Sequence, residues 1–320
     1  MSEYNKVRTA ASFQATVIAV MTILLFCVAC VTADNDDNIA IAAEPQGELL
    51  FEESFEDSDF ASRGWYDGPT FELSSEAQVS GEKSCVWHWM KKGDIGPAGG
   101  AARVKLPPVE TVTLSYYMKH SDNWDWTGVN WHPHKFHFLT SKDSYTVGPA
   151  YTWLTFYIEV VNGVPRIAIQ DSKNIDTDKL GENLVAVSEN RSVAGGNGDS
   201  DGYGNLGHYR SGENYRNGKH WEADAVYFGD ETGPRYKGDW HQVEVELTLN
   251  SIDEKGIGQR DGVLRYRFDG ELLMDYSDVV YRTGAHPDMK INQFMMAPYY
   301  GPGVPHEQKI WVDDIKIWGE

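Results

Sequence analysis

The segment Trp240-His-Gln-Val-Glu-Val-Glu-Leu-Thr-Leu249 determines the fold class of this chain. From Gln242 to Leu249, polar and apolar side chains alternate without interruption. The two sets are Val243, Val245, Leu247 and Leu249, and Gln242, Glu244, Glu246 and Thr248. A period of two places each set on its own face of a β-strand. The segment therefore predicts a strand with one face in a core and one in solvent, which is typical of antiparallel sheets.

Strand-like segments recur along the chain, and no stretch has a convincing helical period. They cover residues 114–119, 131–139, 153–161, 243–249, 264–268 and 309–317. Dipeptides typical of hairpin turns lie between them, namely Asn162-Gly163, Asp261-Gly262 and Asp269-Gly270. Residues 49–57 resemble residues 309–318 in pattern, which predicts that the first and last strands pair. Together these features predict an all-β domain of two packed antiparallel sheets, a sandwich or jelly roll.

The first 33 residues predict an export leader. Lys6 and Arg8 precede an apolar run at residues 15–30, and small residues follow as far as Ala33. The run is short for a membrane span and acids follow it closely. Two processing routes fit, namely acylation of Cys30, as in bacterial lipoproteins, and cleavage after Ala33. Either route predicts a bacterial protein that is secreted, periplasmic or held at the outer membrane by a lipid on Cys30.

The remaining chain predicts one domain. Residues 34–46 are polar and rich in alanine, which predicts a flexible tether, and residues 47–320 form the predicted domain. Because Cys27 and Cys30 belong to the leader, Cys85 is the single cysteine of the domain and cannot form an internal disulfide. Stability must then come from core burial, and we expect a monomer.

Composition points to a carbohydrate ligand. The chain has 11 Trp and 17 Tyr, and a formal net charge of −20. Such a charge repels nucleic acid and anionic lipid. Sugar rings present apolar C–H faces that stack on aromatic rings, while their hydroxyls bond to the polar tips of the same side chains. The composition therefore favours a polysaccharide partner and no nucleic acid.

The densest cluster of reactive side chains lies at residues 130–139. If this segment is a strand, Lys135 and His137 share one face and Phe136 and Phe138 share the other. The phenylalanines would enter the core and leave the two cations side by side over a sheet surface. A cationic pair in a cleft can neutralise a substrate carboxylate and move a proton. The alternative is a rim of structural hydrogen bonds.

A second polar cluster lies near the C-terminus. Alternation places Lys290 and Asn292 on one strand face and Ile291 and Gln293 on the other. Asn292 is a candidate catalytic amide, and Tyr157 on another strand is a candidate proton carrier. Candidate sugar-binding side chains are Trp126, Trp131, Arg166, Lys290, Tyr299 and Tyr300.

Metal ions have one predicted role. His132, His134 and His137 cluster in sequence, but alternation divides them between two faces, so we expect no metal cofactor for catalysis. Acids gather where the first and last strands would meet, and hard oxygen ligands from adjoining strands suit calcium. The predicted structural calcium ligands are Glu53, Asp57, Asp313 and Asp314.

The C-terminal half resembles a known family. Residues 240–250, the hairpin segment 261–270, the Asp-Val-x-x-Arg motif at 278–282 and residues 291–301 follow one another as in secreted jelly-roll polysaccharide lyases. The likeness is to alginate and glucuronan lyases of the family-fourteen and family-twenty type. It covers roughly residues 110 to 318 and implies a concanavalin A-like jelly roll.

The resemblance implies metal-independent β-elimination on a uronate polymer. Lys135 falls where such enzymes carry a lysine on a cleft strand, and Lys135, His137, Asn292 and Tyr157 are the residues that match catalytic roles. Those enzymes usually carry an arginine and paired tyrosines on neighbouring strands, whereas this chain offers Tyr157 and Arg166 there.

Two other functions remain open at this point. Glu244 and Glu246 share a strand face, as paired carboxylates do in glycoside hydrolases when that face lines a cleft. They also fit a solvated strand face. A non-catalytic glycan-binding module would need only the aromatic cleft.

Overall fold

The computed structural model describes residues 47–97, 99, 101–129, 134–140, 154–170, 220–282 and 287–320. These residues lie in one compact unit. They form strands and turns without a helix, so none of them belongs to a helix long and apolar enough to cross a membrane. The predicted leader and tether, including Cys30, lie outside the described residues, as do Trp131 and most of the segment from Gln170 to His220.

Fifteen strands occur in the described residues. They are β1 Glu48–Glu53, β2 Trp65–Tyr66, β3 Glu72–Ser74, β4 Ser84–Trp89, β5 Ala102–Val109, β6 Thr111–His120, β7 His134–Thr140, β8 Leu154–Val161, β9 Val164–Gln170, β10 His220–Glu222, β11 His241–Thr248, β12 Gly262–Phe268, β13 Glu271–Val279, β14 Ile291–Met296 and β15 Gln308–Gly319.

The strands form two antiparallel sheets. The eight-stranded sheet has the order β13-β12-β11-β6-β15-β4-β3, with β1 also paired to β15, and the seven-stranded sheet has the order β10-β9-β8-β7-β14-β5-β2. Apolar residues of both sheets meet in one core, in which Phe136 stacks on Phe294 and also contacts Trp87 and Tyr116 of the other sheet. The predicted all-β, two-sheet jelly roll is confirmed.

The chain ends meet as predicted. Strand β15 pairs with β4 through its first half and with β1 through its second half, where Glu53 lies opposite Ile315. A bulge between Asp313 and Lys316 separates the two halves, and Asp314 has a φ of 48°. Strand β15 therefore lies inside the eight-stranded sheet, with β6 on one side and β4 and β1 on the other.

Two of the three predicted hairpin turns are present. Asn162-Gly163 joins β8 to β9 and Asp269-Gly270 joins β12 to β13, and all four residues have positive φ. The prediction for Asp261-Gly262 is wrong, because Gly262 is the first residue of β12. A Cβ there would lie 2.6 Å from the backbone oxygen of Val279 on β13, so glycine is needed for close strand approach.

The segment that opened the sequence argument is β11. Its burial alternates strictly between buried and half-buried positions. It pairs with β6 on one side and β12 on the other. The alternation therefore reflects a central strand with one face in the core.

Candidate functional site

One row of side chains crosses the outer face of the seven-stranded sheet. Residues paired between neighbouring strands share a face, so the row can be read from the register. Its consecutive partners are Tyr66, Arg103, Met295, His137, Tyr157 and Ala168. Their neighbours in sequence belong to the core, namely Trp65, Val104, Phe294, Phe136, Phe138, Phe156, Ile158, Ile167 and Ile169. The row therefore faces away from the core.

His137 and Tyr157 occupy the middle of this row. Their rings contact edge to face, with centroids 4.8 Å apart. They are only 3% and 5% exposed. Histidine and tyrosine side chains can each act as a general acid or a general base. Both were predicted from the sequence, and the structure brings them together.

Next to this pair lies a buried ion pair. Both Nε and Nη2 of Arg166 lie 2.6 Å from Oε2 of Glu159, and the two residues are 5% and 1% exposed. They are partners in the register of β8 and β9, two register positions from the pair of Tyr157 with Ala168 and on the same face of the sheet. Arg166, also predicted, thus has a fixed guanidinium two residues from Ala168.

Lys135 does not lie over an open surface as alternation predicted. A bulge between His134 and Phe136 places Lys135 as the extra residue of β7, where strict alternation no longer holds. Its side chain is fully buried, and its Nζ lies 2.7 Å from the Tyr300 hydroxyl, to which it donates. Burial lowers the pKa of Lys135 well below its usual value, opposed by the nearby Glu159 carboxylate.

Tyr300 is part of the core and not an open stacking surface. Its ring contacts Trp89 and Trp124, and burial raises the pKa of its hydroxyl well above the usual value. Trp126, predicted to stack sugars, is partly buried and contacts Trp124 and His120. These aromatic residues were assigned to the cleft because composition does not distinguish a core aromatic from a binding one.

The second predicted cluster is divided in the structure. Lys290 lies 2.5 Å from Glu110, whose carboxylate also accepts a hydrogen bond from Arg282. Five residues separate Lys290 from Met295 of the row, about 16 Å along an extended strand. Asn292 is buried at a bulge between Ile291 and Gln293. Lys290 is thus held in an ion-pair cluster, away from His137.

A group that sequence reasoning missed occupies the other half of the face. We call Tyr66, Arg103, Lys105 and Gln293 the Tyr66 group. The Tyr66 hydroxyl donates to Gln293 Oε1 at 2.7 Å, and the cations of Arg103 and Lys105 lie 5.2 and 5.5 Å from the Tyr66 ring centroid. Asp67 accepts from Arg103 Nε at 2.5 Å. The alternation Arg103-Val104-Lys105 was the available sequence signal, since two cations flank a core valine.

The four predicted calcium ligands accept hydrogen bonds from the protein itself. Glu53 accepts from the Phe55 amide, Arg63 and the Trp65 indole, and Arg63 also donates to Asp57. Asp313 accepts from the amides of Val79 and Asp314, and Asp314 accepts from Ser80. No group of three or more His, Cys, Asp or Glu residues with metal-binding geometry occurs in the part of the chain described. The residues fit calcium poorly as arranged, and the calcium site stays a prediction.

Glu244 and Glu246 lie on the outer face of the opposite, eight-stranded sheet. Glu244 lies 3.5 Å from Arg267 and Glu246 lies 2.8 Å from Arg265, which also binds Asp275. Burial raises the pKa of Glu244. Each carboxylate thus faces an arginine of the next strand, an arrangement typical of cross-strand ion pairs on a sheet surface.

None of the protein-family models and none of the curated proteins compared with the chain matches it. Solved structures do match. A marine alginate lyase of family PL-14 from Aplysia kurodai has a TM-score of 0.52 at 11% identity, over 85% of this chain and 100% of that chain. This likeness shows a shared jelly-roll fold.

Two further structures align less closely. An alginate lyase mutant in complex with alginate tetrasaccharide has a TM-score of 0.48 at 12% identity, over 86% of this chain and 98% of that chain. An endo-β-1,4-glucuronan lyase from the fungus Trichoderma reesei has a TM-score of 0.46 at 12% identity, over 85% of this chain and 96% of that chain.

Proposed function

We propose that this protein is a polysaccharide lyase that cleaves a uronate-containing polymer by β-elimination on the outer face of the seven-stranded sheet. The observation that carries the proposal is the contact of His137 with Tyr157 beside the fixed Arg166 guanidinium. The fold shared with an alginate lyase supports it.

The proposed reaction breaks the C5–H and C4–O bonds and forms a C4–C5 double bond. A cation must neutralise the C6 carboxylate so that the C5 proton becomes acidic. A base removes that proton, the C4–C5 double bond forms, the C4–O bond breaks, and the leaving oxygen takes a proton. Arg166 is the proposed carboxylate partner, and His137 and Tyr157 are the proposed proton carriers. The reaction releases a new chain end with an unsaturated uronate.

Other predicted residues take supporting roles in this proposal. Glu159 holds the Arg166 guanidinium in one orientation. The Asn292 amide is a second proposed carboxylate partner. Lys135 is a positioning residue, since its amino group is fully buried and donates to the Tyr300 hydroxyl. Tyr299 and Trp131 remain proposed sugar contacts.

We also propose that the protein acts outside the cytoplasm and as a monomer. The leader pattern in residues 1–33 supports export, and the position of Cys30 supports a lipid anchor. Mass spectrometry of the mature protein from its native host would distinguish a lipidated Cys30 from a chain that begins after Ala33.

The test is a substrate screen with two readouts. Purified protein is incubated with alginate, glucuronan, ulvan, xylan and laminarin, and both ultraviolet absorbance of an unsaturated product and new reducing ends are measured. Elimination raises both signals on a uronate polymer, whereas hydrolysis raises only reducing ends. A binding module raises neither and still migrates more slowly in a gel that contains its glycan. If the absorbance does not rise on alginate, glucuronan or ulvan, the proposal is overturned.

A further inference from the structure

The loop that follows β4 lies against the loop that follows β14. We call residues 90–96, Met-Lys-Lys-Gly-Asp-Ile-Gly, the 90–96 loop. Three backbone hydrogen bonds join the two loops, from the amide of Gly93 to the carbonyl of Val304 at 2.8 Å, from the amide of Val304 to Asp94 at 3.0 Å, and from the amide of Tyr300 to Ile95 at 2.7 Å. A Cβ at Gly303 would lie 2.7 Å from the backbone of Gly93, so the two loops touch. These contacts fix the position of the 90–96 loop by its backbone.

The 90–96 loop lies at one end of the candidate site. Strand β14 ends where its antiparallel neighbour β7 begins. There, the amide of Ala297 donates to the carbonyl of Lys135 at 3.0 Å. Tyr300, which is bonded to the loop, also accepts from Lys135 Nζ. Strand β7 begins at His134, which is about 10 Å along the strand from His137. The loop therefore lies beside the end of β7, close to the proposed proton carriers.

Most side chains of the 90–96 loop are exposed. Met90 is 61% exposed and Ile95 is 46% exposed, and Lys91 and Lys92 are exposed between them. In the part of the chain that the structure describes, Met90 is the most exposed large apolar side chain and Ile95 is the third. Single exposed apolar side chains are ordinary, whereas two of the most exposed on one short loop indicate a contact surface.

Charge indicates the kind of ligand. Lys91 and Lys92 form no ion pair with any residue that the structure describes. Arg63, in contrast, pairs with two carboxylates. The acid of the loop is Asp94, which offsets one of the two lysine charges and accepts from two backbone amides of the loop at 3.1 Å. Two ammonium groups without a carboxylate partner can bind an anionic ligand without breaking an ion pair. The loop therefore suits a ligand with carboxylates and apolar surface.

We propose that the 90–96 loop is a second binding surface for the uronate polymer, outside the place of bond cleavage. Lys91 and Lys92 contact carboxylates of sugars that flank the reacting one. Met90 and Ile95 contact the apolar C–H faces of the same sugars. An anionic membrane offers similar chemistry, but the loop is bonded to the strand end next to the candidate site, which favours the polymer. The inference rests on the proposed function for the choice of polymer and not on catalysis.

The charge of the loop is tested with Lys91→Gln/Lys92→Gln, and Lys255→Gln/Lys316→Gln is the matched control. Lys255 and Lys316 are exposed elsewhere on the domain, and their replacement removes the same charge. Retardation is measured in gels that contain alginate, glucuronan or neutral laminarin. The loop variant is expected to bind a uronate polymer about threefold to tenfold more weakly at low salt, and less so at high salt, because exposed charge contacts are modest and screened. The control should change binding by less than about twofold.

The apolar contacts are tested with Met90→Ser/Ile95→Ser. The Ile95 carbonyl still accepts from the Tyr300 amide in this variant, so the loop keeps its backbone bonds. Binding to the polymer is expected to weaken about twofold to fivefold at low and high salt alike, because apolar burial is not screened by salt. Unchanged binding would overturn the contact of these two side chains with the sugars.

Binding and cleavage are measured separately. If the unvaried protein is retarded by a uronate polymer but releases no unsaturated product, the lyase proposal fails while the variants still test the loop. If cleavage occurs, Lys91→Gln/Lys92→Gln should raise KM on polymer severalfold and leave kcat within about twofold. Equal retardation of this variant and the unvaried protein would overturn the inference, as would an equal loss with laminarin. No retardation by any uronate polymer would also overturn it, and binding to phosphatidylserine vesicles that this variant loses would then identify a lipid contact.

Discussion

At the residue scale, the structure distinguishes buried polar groups that face the candidate site from those that belong to the core. His137, Tyr157 and Arg166 lie together on the outer face, and all three were identified from the sequence. Lys135 was identified as well, but its amino group is bonded to the core residue Tyr300. The difference arises because one extra residue in β7 changes the direction of a single side chain.

Replacing either proposed proton carrier should lower the elimination rate strongly. For His137→Ala and Tyr157→Phe we expect kcat/KM to fall about a hundredfold to ten-thousandfold, the usual effect of losing a positioned acid or base. His88→Ala is the control, since His88 is partly exposed on the other sheet and pairs with Glu307. Initial rates on the polymer that passes the screen give the measurement. Folded variants that lose less than about tenfold would show that other residues move the proton.

His120 and Asp313 should change the pH dependence of stability in opposite directions. Burial, together with the nearby Lys135 and Lys237, holds the pKa of His120 well below its usual value. The unfolded chain then binds a proton that the folded chain does not, so stability falls as pH drops below about 6.5, by up to about 1.4 kcal/mol per pH unit. Burial raises the pKa of Asp313 to about 6. The folded chain here binds the extra proton, so this contribution is present near pH 4 and is lost as pH rises through about 6.

Urea unfolding of His120→Leu and Asp313→Asn at pH 4 to 8 checks both signs. His120→Leu should reduce the loss of stability on the acid side, and Asp313→Asn should remove the decline between pH 4 and 6. Slopes are compared with those of the unvaried protein, because each substitution also changes packing or hydrogen bonds. His88→Leu serves as the control at a partly exposed histidine. If the free energy of unfolding changes with pH in both variants as it does in the unvaried protein, His120 and Asp313 are not the groups that set this pH dependence.

At the element scale, strand pairing depends on a few backbone positions. The hairpin dipeptides Asn162-Gly163 and Asp269-Gly270 were predictable because positive φ at both central residues suits a tight hairpin. Gly262 was assigned to a turn for the same reason, yet it begins β12 and lies against the backbone of Val279. The sequence marks these glycines, but it does not show whether a positive φ or a close contact with a neighbouring backbone requires each of them.

Gly262→Ala should destabilise the domain more than Gly270→Ala. A Cβ at Gly262 would lie 2.6 Å from a backbone oxygen, so β12 and β13 must move apart, and we expect a loss of about 2–3 kcal/mol. A Cβ at Gly270 meets no atom within 4 Å, and only its φ of 81° is unfavourable, for about 1 kcal/mol. Chemical denaturation of both variants measures the difference. A larger loss of stability for Gly270→Ala would mean that the positive φ of the turn matters more for stability than the close approach of β12 and β13.

At the scale of the whole molecule, charged side chains lie on the outer faces of both sheets. The formal net charge is −20, whereas Arg103, Lys105 and Arg166 lie on the outer face of the seven-stranded sheet. Cross-strand ion pairs instead occupy the outer face of the other sheet, as at Arg265 and Glu246. Arg103 and Arg166 also pair with Asp67 and Glu159, and an anionic polymer that contacts the cations of this face is held by charge contacts that salt screens.

Salt should therefore act in opposite directions on stability and on binding. Raising NaCl from about 0.01 to 0.2 M shortens the Debye length from about 30 Å to below 10 Å. Screened self-repulsion should raise the Tm, while retardation by alginate or glucuronan should weaken. Differential scanning fluorimetry and gel retardation at matched salt measure the two effects, with sodium acetate as the control for anion-specific effects. A binding strength that does not change with salt would contradict a role for Arg103, Lys105 and Arg166 in polymer binding.

The sequence by itself determined the all-β class, the two-sheet architecture, the pairing of the end strands and three residues of the candidate site. Alternation and turn dipeptides are local properties, and they are sufficient wherever a strand is regular. Tertiary structure alone decided that Lys135 and Tyr300 belong to the interior, that Trp126 packs against the core, and that the Tyr66 group lies on the same face as His137. The reason is physical: bulges in β7 and β14 change which face a side chain occupies, and β2 and β5 are far from β7 in sequence. Only strand pairing brings those residues onto one face.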